Sequence, residues 1–176
     1  PPAPLPWRRR RAMVMATAGL AAAAALVVAV FIPGGTPHES RISGLVDAVG
    51  EQRIYEGRLT GGFKYGPLRT PTRSAAAPYG DNMSLAAAAG DLQQRAQADP
   101  SASNLHAFAI AALLMGNVDQ AVATLENAAA AGDPQAGLQS DLAAAYIARA
   151  RNAGRDDDWP RAVQAAETAL ELDPSL

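Results

Sequence analysis

The sequence predicts an all-α protein in which one transmembrane helix is followed by helix–turn–helix pairs stacked as a solenoid. An uncharged apolar run of 21 residues occupies positions 12–32. Asp-Pro pairs that would end helices recur at 99–100, 133–134 and 173–174, at intervals of 34 and 40 residues. Alanine, the strongest helix former, supplies 42 of the 176 residues. A recurring helix pair of about 34 residues is the sequence signature of a repeat array.

The composition excludes several classes of function. The net charge of −2 and an aromatic content of 5% argue against a nucleic-acid partner, which would need a basic surface and stacking rings. The absence of cysteine excludes disulfides, thiol catalysis and thiolate metal sites. His38 and His106 are far apart in the sequence, and no phosphate-binding glycine motif is present. We therefore predict no cofactor, no metal site and no catalytic residue.

The run Ala12–Ile32 is predicted to cross a membrane. As a helix it would be about 31 Å long, which matches a hydrocarbon core of about 30 Å. Eight of its residues are Leu, Ile, Val or Phe, and they contribute about −2 to −5 kcal/mol to insertion. A secretory signal peptide and a buried soluble helix are the alternatives. The apolar region is long for a signal peptide and lacks a small-x-small cleavage site, so we favour the membrane helix.

Four consecutive arginines predict the orientation of this helix. Arg8, Arg9, Arg10 and Arg11 directly precede the apolar run, whereas the other side has one basic residue within about 15 positions. Because basic flanks stay in the cytoplasm, residues 1–11 are predicted to be a cytoplasmic flank. The lipid bilayer is thus one expected partner. The chain is predicted to be a single-pass protein of the inner (cytoplasmic) membrane, with everything after the helix on the extracytoplasmic side.

Residues 33–83 form a connector rich in Gly, Pro and Arg. Apolar residues at 42, 45, 46 and 49 have helical spacing, so two helical turns are predicted over 41–49. Residues 53–59 alternate loosely and the glycine-rich stretch 61–66 follows, which predicts a short strand or a hairpin. A solvated linker is the favoured interpretation, with His38 exposed. A contact with lipid headgroups or with a partner is the alternative.

The acidic half of the chain reads as a series of helices. Residues 74–176 carry a net charge of −8. Residues 84–100 are predicted to hold a leading helix that ends at the first Asp-Pro pair. The five predicted helices are Ser84–Ala98, Asn104–Met115, Asp119–Ala131, Leu138–Ala150 and Trp159–Leu172.

Two segments, 101–134 and 135–174, share a pattern of small and bulky residues at fixed positions. The small residues would let two helices approach closely, and the larger ones would fill the gaps to the next pair. The second segment has a lengthened inner turn. The predicted packing residues are Phe108, Ala109, Gly116, Ala121, Leu125 and Ala128 in the first segment and Leu142, Ala143, Tyr146, Ala162, Ala169 and Pro174 in the second.

This pattern resembles the tetratricopeptide repeat (TPR), with two departures. Ala112 stands at the position of the motif's tyrosine, and Ala166 stands where a bulky residue belongs. In an alanine-rich helical bundle without repeats, alanine would match the small positions of the motif by chance. Such a bundle would not explain why Asp-Pro pairs recur at predicted helix ends. The resemblance implies a solenoid whose groove binds a protein or peptide. The sequence leaves the oligomeric state open.

A wider resemblance rests on the order of the segments and on the stretch EGRLTGGFKYGPLR. It is similar to the N-terminal part of bacterial proteins that carry TPR arrays ahead of a CHAT domain, a caspase-like protease fold. The catalytic His and Cys of that domain have no counterpart, so protease activity is expected only beyond Leu176. The chain is accordingly expected to be a piece of a longer protein, because neither end looks like a natural terminus.

The expected function is a membrane-tethered scaffold for protein interactions. The alternative is a transmembrane regulator, similar to an anti-sigma factor, with its cytoplasmic domain upstream of Pro1. No enzyme is expected within these residues, and His106 is interpreted as a surface or groove-lining residue. The run Asp156–Asp158 lacks the ligand spacing of a calcium loop and is predicted to cap the helix that follows.

Overall fold

The computed structural model of the chain describes residues 37–50, 58–64 and 82–176. Within these ranges the regular secondary structure is entirely helical, so the all-α prediction is confirmed there. Six helices follow one another: α1 Pro37–Val49, α2 Met83–Ala98, α3 Ala102–Leu114, α4 Val118–Ala131, α5 Ala136–Ala153 and α6 Asp158–Leu172.

Some predictions fall outside the described part of the chain. The predicted membrane helix 12–32, its basic flank 1–11 and most of the suggested strand 53–59 lie outside the described residues. Within the ranges that are described, no helix has the length and apolar character needed to cross a membrane. Residues 58–64 contain no strand.

The helix ends follow from local backbone chemistry. Asp99 and Asp173 end α2 and α6 in extended conformations, with φ near −140° and −145°, because a residue before proline is driven out of the helical region. Gly116 ends the α3–α4 turn with φ +82°. Its amide donates to Leu113 O and the Asn117 amide donates to Ala112 O, which is the Schellman arrangement that satisfies the last helical carbonyls.

The helices pack in chain order. From α2 to α6 each helix contacts the next, α1 contacts both α2 and α3, and α3 also contacts α5. The middle of the stack is α3, and its residues Ala109–Leu114 are all buried. At the end of the stack, α6 buries a narrow alanine stripe and leaves Val163 and Leu170 about half exposed.

The connector contributes to the core rather than forming a solvated linker. Ile42, Leu45 and Val49 on α1 are buried, and so are Leu59 and Phe63 in the 58–64 segment. They belong to the same hydrophobic cluster as the interior of α3. The prediction of a solvated linker is therefore wrong for residues 37–50 and 58–64. The physical reason is that the helical spacing of apolar residues in α1 forms one continuous stripe, which α2 and α3 cover.

Candidate functional site

The two histidines of the chain lie in contact. His38 comes from the first turn of α1 and His106 from α3, and their rings stack with centroids 4.1 Å apart. His106 Nε2 lies 2.7 Å from Oδ2 of Asp141 on α5. His106 is 3% exposed and Asp141 is fully buried. The predictions of a solvated His38 and a surface or groove-lining His106 are wrong, because α1 packs across α3 and brings the two rings together.

Thr60 holds the carboxylate of Asp141 in place. The Thr60 amide donates to Asp141 Oδ1 at 2.7 Å, and the Thr60 hydroxyl donates to Oδ2 at 2.6 Å. The next residue, Gly61, has φ +96°, and a Cβ there would collide with the side chain of Ile42. A glycine at this position thus lets the loop approach α1 closely enough for Thr60 to reach the carboxylate.

The ring of His38 has no hydrogen-bond partner within the part of the chain that the structure describes. Both of its ring nitrogens are buried, and neither has a partner among the described residues. Burial, followed by the charge of neighbouring His106, lowers the pKa of His38 to about 4, so the ring is uncharged at neutral pH. Leaving a buried polar group unsatisfied costs about 1–3 kcal/mol. Such a group in a folded protein requires a specific explanation, and an unassigned ligand is one.

The cluster offers three ligands that suit a metal ion. One donor atom each from His38, His106 and Asp141 can be chosen so that all three lie within 4.8 Å of one another. The sequence spacing of these residues predicts no metal site, because nothing in it links them. Asp141 is also an acid that could orient His106, but the Thr60 hydroxyl donates to Asp141 and not to the imidazole. The order of a nucleophile–base–acid triad is therefore absent from this cluster.

A second buried cluster joins α5 to the start of α6. Arg149 Nε and Nη2 donate to the Asp158 carboxylate at 2.6 and 2.7 Å, as a bidentate pair. These hydrogen bonds lower the pKa of Asp158 and raise that of Arg149. The prediction that residues 156–158 cap α6 is correct for their position and wrong for the hydrogen bond. Asp157 occupies the N-cap position and Asp158 the first turn, but Asp157 makes no capping hydrogen bond and Asp158 binds Arg149.

A pocket of about 460 Å³ lies between α4, α5 and α6, and we call it the Tyr146 pocket. The Tyr146 hydroxyl donates to Glu126 Oε1 at 2.7 Å. Burial and this hydrogen bond raise the pKa of Tyr146 to about 12, so the phenol stays protonated. The guanidinium carbons of Arg149 and Arg161 lie 5.6 and 6.0 Å from the ring centroid, within cation–π range. The lining residues are Glu126, Gln139, Leu142, Tyr146, Arg161, Gln164, Ala165 and Thr168.

The residues predicted from the repeat pattern are distributed through the helix pairs. Phe108 is partly buried, Gly116 is exposed in the α3–α4 turn, and Pro174 is exposed after α6. Leu142 and Tyr146 line the Tyr146 pocket. The buried members of the set are Ala109, Ala121, Leu125, Ala128, Leu142, Ala143, Tyr146, Ala162 and Ala169.

Comparison with known proteins adds no relative. No family model matches the sequence. Neither a curated protein nor a solved structure matches it either. The resemblance to TPR and CHAT proteins therefore depends on the residues of this sequence alone.

The histidine cluster consists of His38, His106, Asp141 and Thr60. The sequence did not indicate His38, Thr60 or Asp141 as functional candidates. His38 was assigned to a linker, and Thr60 and Asp141 carried no motif. The one usable signal was the amphipathic spacing in residues 41–49, because an amphipathic helix must bury its apolar face against something. That signal indicates that α1 packs on the helix stack, but it does not indicate which residues α1 meets.

Proposed function

We propose that this chain is a membrane-tethered scaffold whose TPR-like helix stack binds a peptide segment of a partner protein in the Tyr146 pocket. The tether would be the apolar run 12–32. The proposal is supported by a stack of consecutively packed helices and by a polar, partly aromatic pocket at their junction. It makes the protein a binding module rather than an enzyme.

Burial at the small positions supports the TPR-like arrangement. Ala109 and Ala121 are fully buried on α3 and α4, and Ala143 and Ala162 are buried on α5 and α6. Alanine at these positions lets the two helices of a pair approach closely. Tyr146 is also buried, between α5 and its neighbours.

The proposal depends on one observation: residues of α1 and of the 58–64 segment already cover one face of α3 and α5. His38 stacks on His106 of α3, and Thr60 hydrogen-bonds Asp141 of α5. Arg41 Nη1 donates to Asn104 Oδ1 on α3 at 2.6 Å. The first helices of both predicted repeats thus carry the chain's own segments 37–50 and 58–64 on one face. The Tyr146 pocket, between α4, α5 and α6, is lined by none of these covering residues and is the site left for a partner peptide.

The pocket has the chemistry that an extended peptide requires. Leu142 and Ala165 are buried and supply an apolar floor for one small side chain. Gln139 and Gln164 each offer an amide that can donate and accept, as a peptide backbone demands. Arg161, with a half-exposed side chain, adds a cation at the rim.

The tether predicts a definite membrane topology. Alkaline phosphatase fused to the end of the full chain should be active in a bacterial host, because it folds only outside the cytoplasm. A β-galactosidase fusion at the same position should be inactive. Replacing Arg8–Arg11 with glutamine should reduce this asymmetry, since these arginines hold the N-terminal flank inside. The reverse activities in the unmodified fusions would contradict the topology.

A photo-crosslinking amino acid placed at Gln164 should capture a discrete partner at the Tyr146 pocket. The matched control is Gln94, an exposed glutamine on α2, where we expect no adduct of the same mass. Arg161→Glu in the Gln164 variant should reduce the adduct severalfold, because the rim cation is reversed. Equal adducts from both positions, or an adduct unaffected by Arg161→Glu, would contradict binding in the pocket.

A further inference from the structure

We propose that His38, His106 and Asp141 bind one divalent transition-metal ion, and that zinc is the ion that fits them. The three ligands come from α1, α3 and α5, which are distant in the sequence. The inference does not depend on the Tyr146 pocket, with which these ligands share no residue.

The geometry is close to that of a formed site. Zinc bonds to imidazole nitrogen and carboxylate oxygen are about 2.0–2.2 Å long, so two ligand atoms on one tetrahedral ion are about 3.3–3.6 Å apart. The donor atoms here lie within 4.8 Å of one another. Ligand displacements of about 1–1.5 Å and a tilt of the stacked rings would complete the site. In that change Asp141 Oδ2 exchanges its contact with His106 for the ion.

The donor set selects the class of metal. Two imidazoles and one carboxylate suit zinc and its neighbours in the first transition row, whereas magnesium and calcium prefer oxygen alone. The Thr60 amide donates to Asp141 Oδ1, while Oδ2 accepts from the Thr60 hydroxyl and lies 2.7 Å from His106 Nε2. A ligating carboxylate is commonly fixed in this way by a hydrogen-bond donor outside the coordination sphere. Neither ring nitrogen of His38 has a hydrogen-bond partner among the described residues, and one of them becomes a ligand in the same step.

A bound ion would link the connector to the helix stack. It would join α1 to α3 and α5 at the point where Thr60 already ties the 58–64 segment to Asp141. Three protein ligands also leave a coordination position for water or a small ligand, as in catalytic rather than structural zinc sites. Because the ion would bind only the folded arrangement of the three helices, its binding would be measurable as increased stability of the folded chain.

The test is a zinc titration of the full chain in detergent, purified without a histidine tag. We expect one zinc ion per chain by calorimetry and a melting temperature raised by about 5 °C or more at a hundredfold excess over Kd. His38→Gln should weaken zinc binding at least tenfold. It should leave the fold intact, because the His38 ring makes no hydrogen bond to the described residues. The matched control Asp133→Asn, at an exposed acid, should retain wild-type affinity.

Three results would overturn the proposal: equal zinc affinity in wild type and His38→Gln, equal stabilisation by magnesium and zinc, or no stoichiometric zinc binding. X-ray absorption of the zinc-loaded wild-type chain gives a readout that needs no variant. Two imidazole nitrogens at about 2.0 Å would support the site. A coordination shell without imidazole would refute it, whatever the variants do.

Discussion

Replacing Asp158 with alanine is expected to lower the free energy of unfolding by about 3–5 kcal/mol. Asp158 is 2% exposed and binds the guanidinium of Arg149 through two hydrogen bonds. Removing the carboxylate leaves a buried cation without its main partner. An unpaired buried charge destabilises the fold by much more than the intact ion pair stabilises it. Asp119 Oδ1, 3.9 Å from Arg149 Nη1 on an exposed side chain, is too distant to replace it. Urea denaturation followed by circular dichroism measures the loss.

Two variants separate the buried charge from other effects of the substitution. Asp156→Ala changes an exposed acid in the same loop and should alter stability by less than about 0.5 kcal/mol. Adding Arg149→Met to Asp158→Ala removes both charges, so the double variant should be more stable than Asp158→Ala alone. A single variant that matches Asp156→Ala in stability would show that the pair contributes little.

The acid dependence of stability gives a second readout of the same pair. The hydrogen bonds from Arg149 hold the pKa of Asp158 below its unfolded value of about 3.9. The unfolded chain therefore binds this proton more readily, and the pair's contribution is complete above that unfolded pKa. It is lost as the pH falls through the folded pKa. Asp158→Ala should lack this pH-dependent contribution. The difference in free energy of unfolding between wild type and variant should therefore become smaller in acid.

The helices were predictable because their signals are local. The Asp-Pro pairs fix the ends of α2 and α6 through the backbone of the residue before proline, and Gly116 fixes the α3–α4 turn by its positive φ. These effects act within a few residues and can be read from the sequence. The end of α5 was placed three residues short at Ala150. The helix continues to Ala153 and ends before Gly154, which adopts φ +62°.

The position of the connector was not predictable in the same way. Glycine and proline around α1 indicate a flexible segment, and this composition outweighed the apolar stripe of Ile42, Leu45 and Val49 in the prediction. The stripe decides the outcome, because burying those side chains yields about 1.5–3 kcal/mol each before the entropy of ordering is subtracted. Which helix receives the stripe depends on the assembled stack and not on local spacing.

The two buried polar clusters were missed for related reasons. Asp158 was predicted to cap α6 because a helix N-terminus attracts acids. Arg149, nine residues earlier on α5, binds its carboxylate through two hydrogen bonds instead. His38, His106 and Asp141 are separated by 68 and 35 positions, and only the packing of α1 and α5 against α3 brings them together. A single sequence contains no signal for such a meeting of elements.

Asp141→Ala is expected to lower the free energy of unfolding by about 3–5 kcal/mol as well, when measured in the presence of a chelator. The fully buried carboxylate accepts hydrogen bonds from the Thr60 amide and hydroxyl and contacts the His106 ring. Each buried polar group left unsatisfied costs about 1–3 kcal/mol, and water entering beside the partly exposed Thr60 recovers part of that cost. The chelator ensures that the loss reflects these hydrogen bonds and not a missing metal ligand.

The conservative variant and local hydrogen exchange distinguish this anchor from a general packing defect. Asp141→Asn keeps an acceptor oxygen for the Thr60 amide, so it should lose only about 1–3 kcal/mol. In Asp141→Ala the Thr60 amide should exchange with solvent much faster than in wild type, because its acceptor is gone. Helix α6 makes no hydrogen bond to this cluster. The exchange rates of its amides should therefore change only as much as the loss of global stability requires. If the exchange rate of the Thr60 amide rose no more than the rates in α6, Asp141 would not be the residue that ties the 58–64 segment to the helix stack.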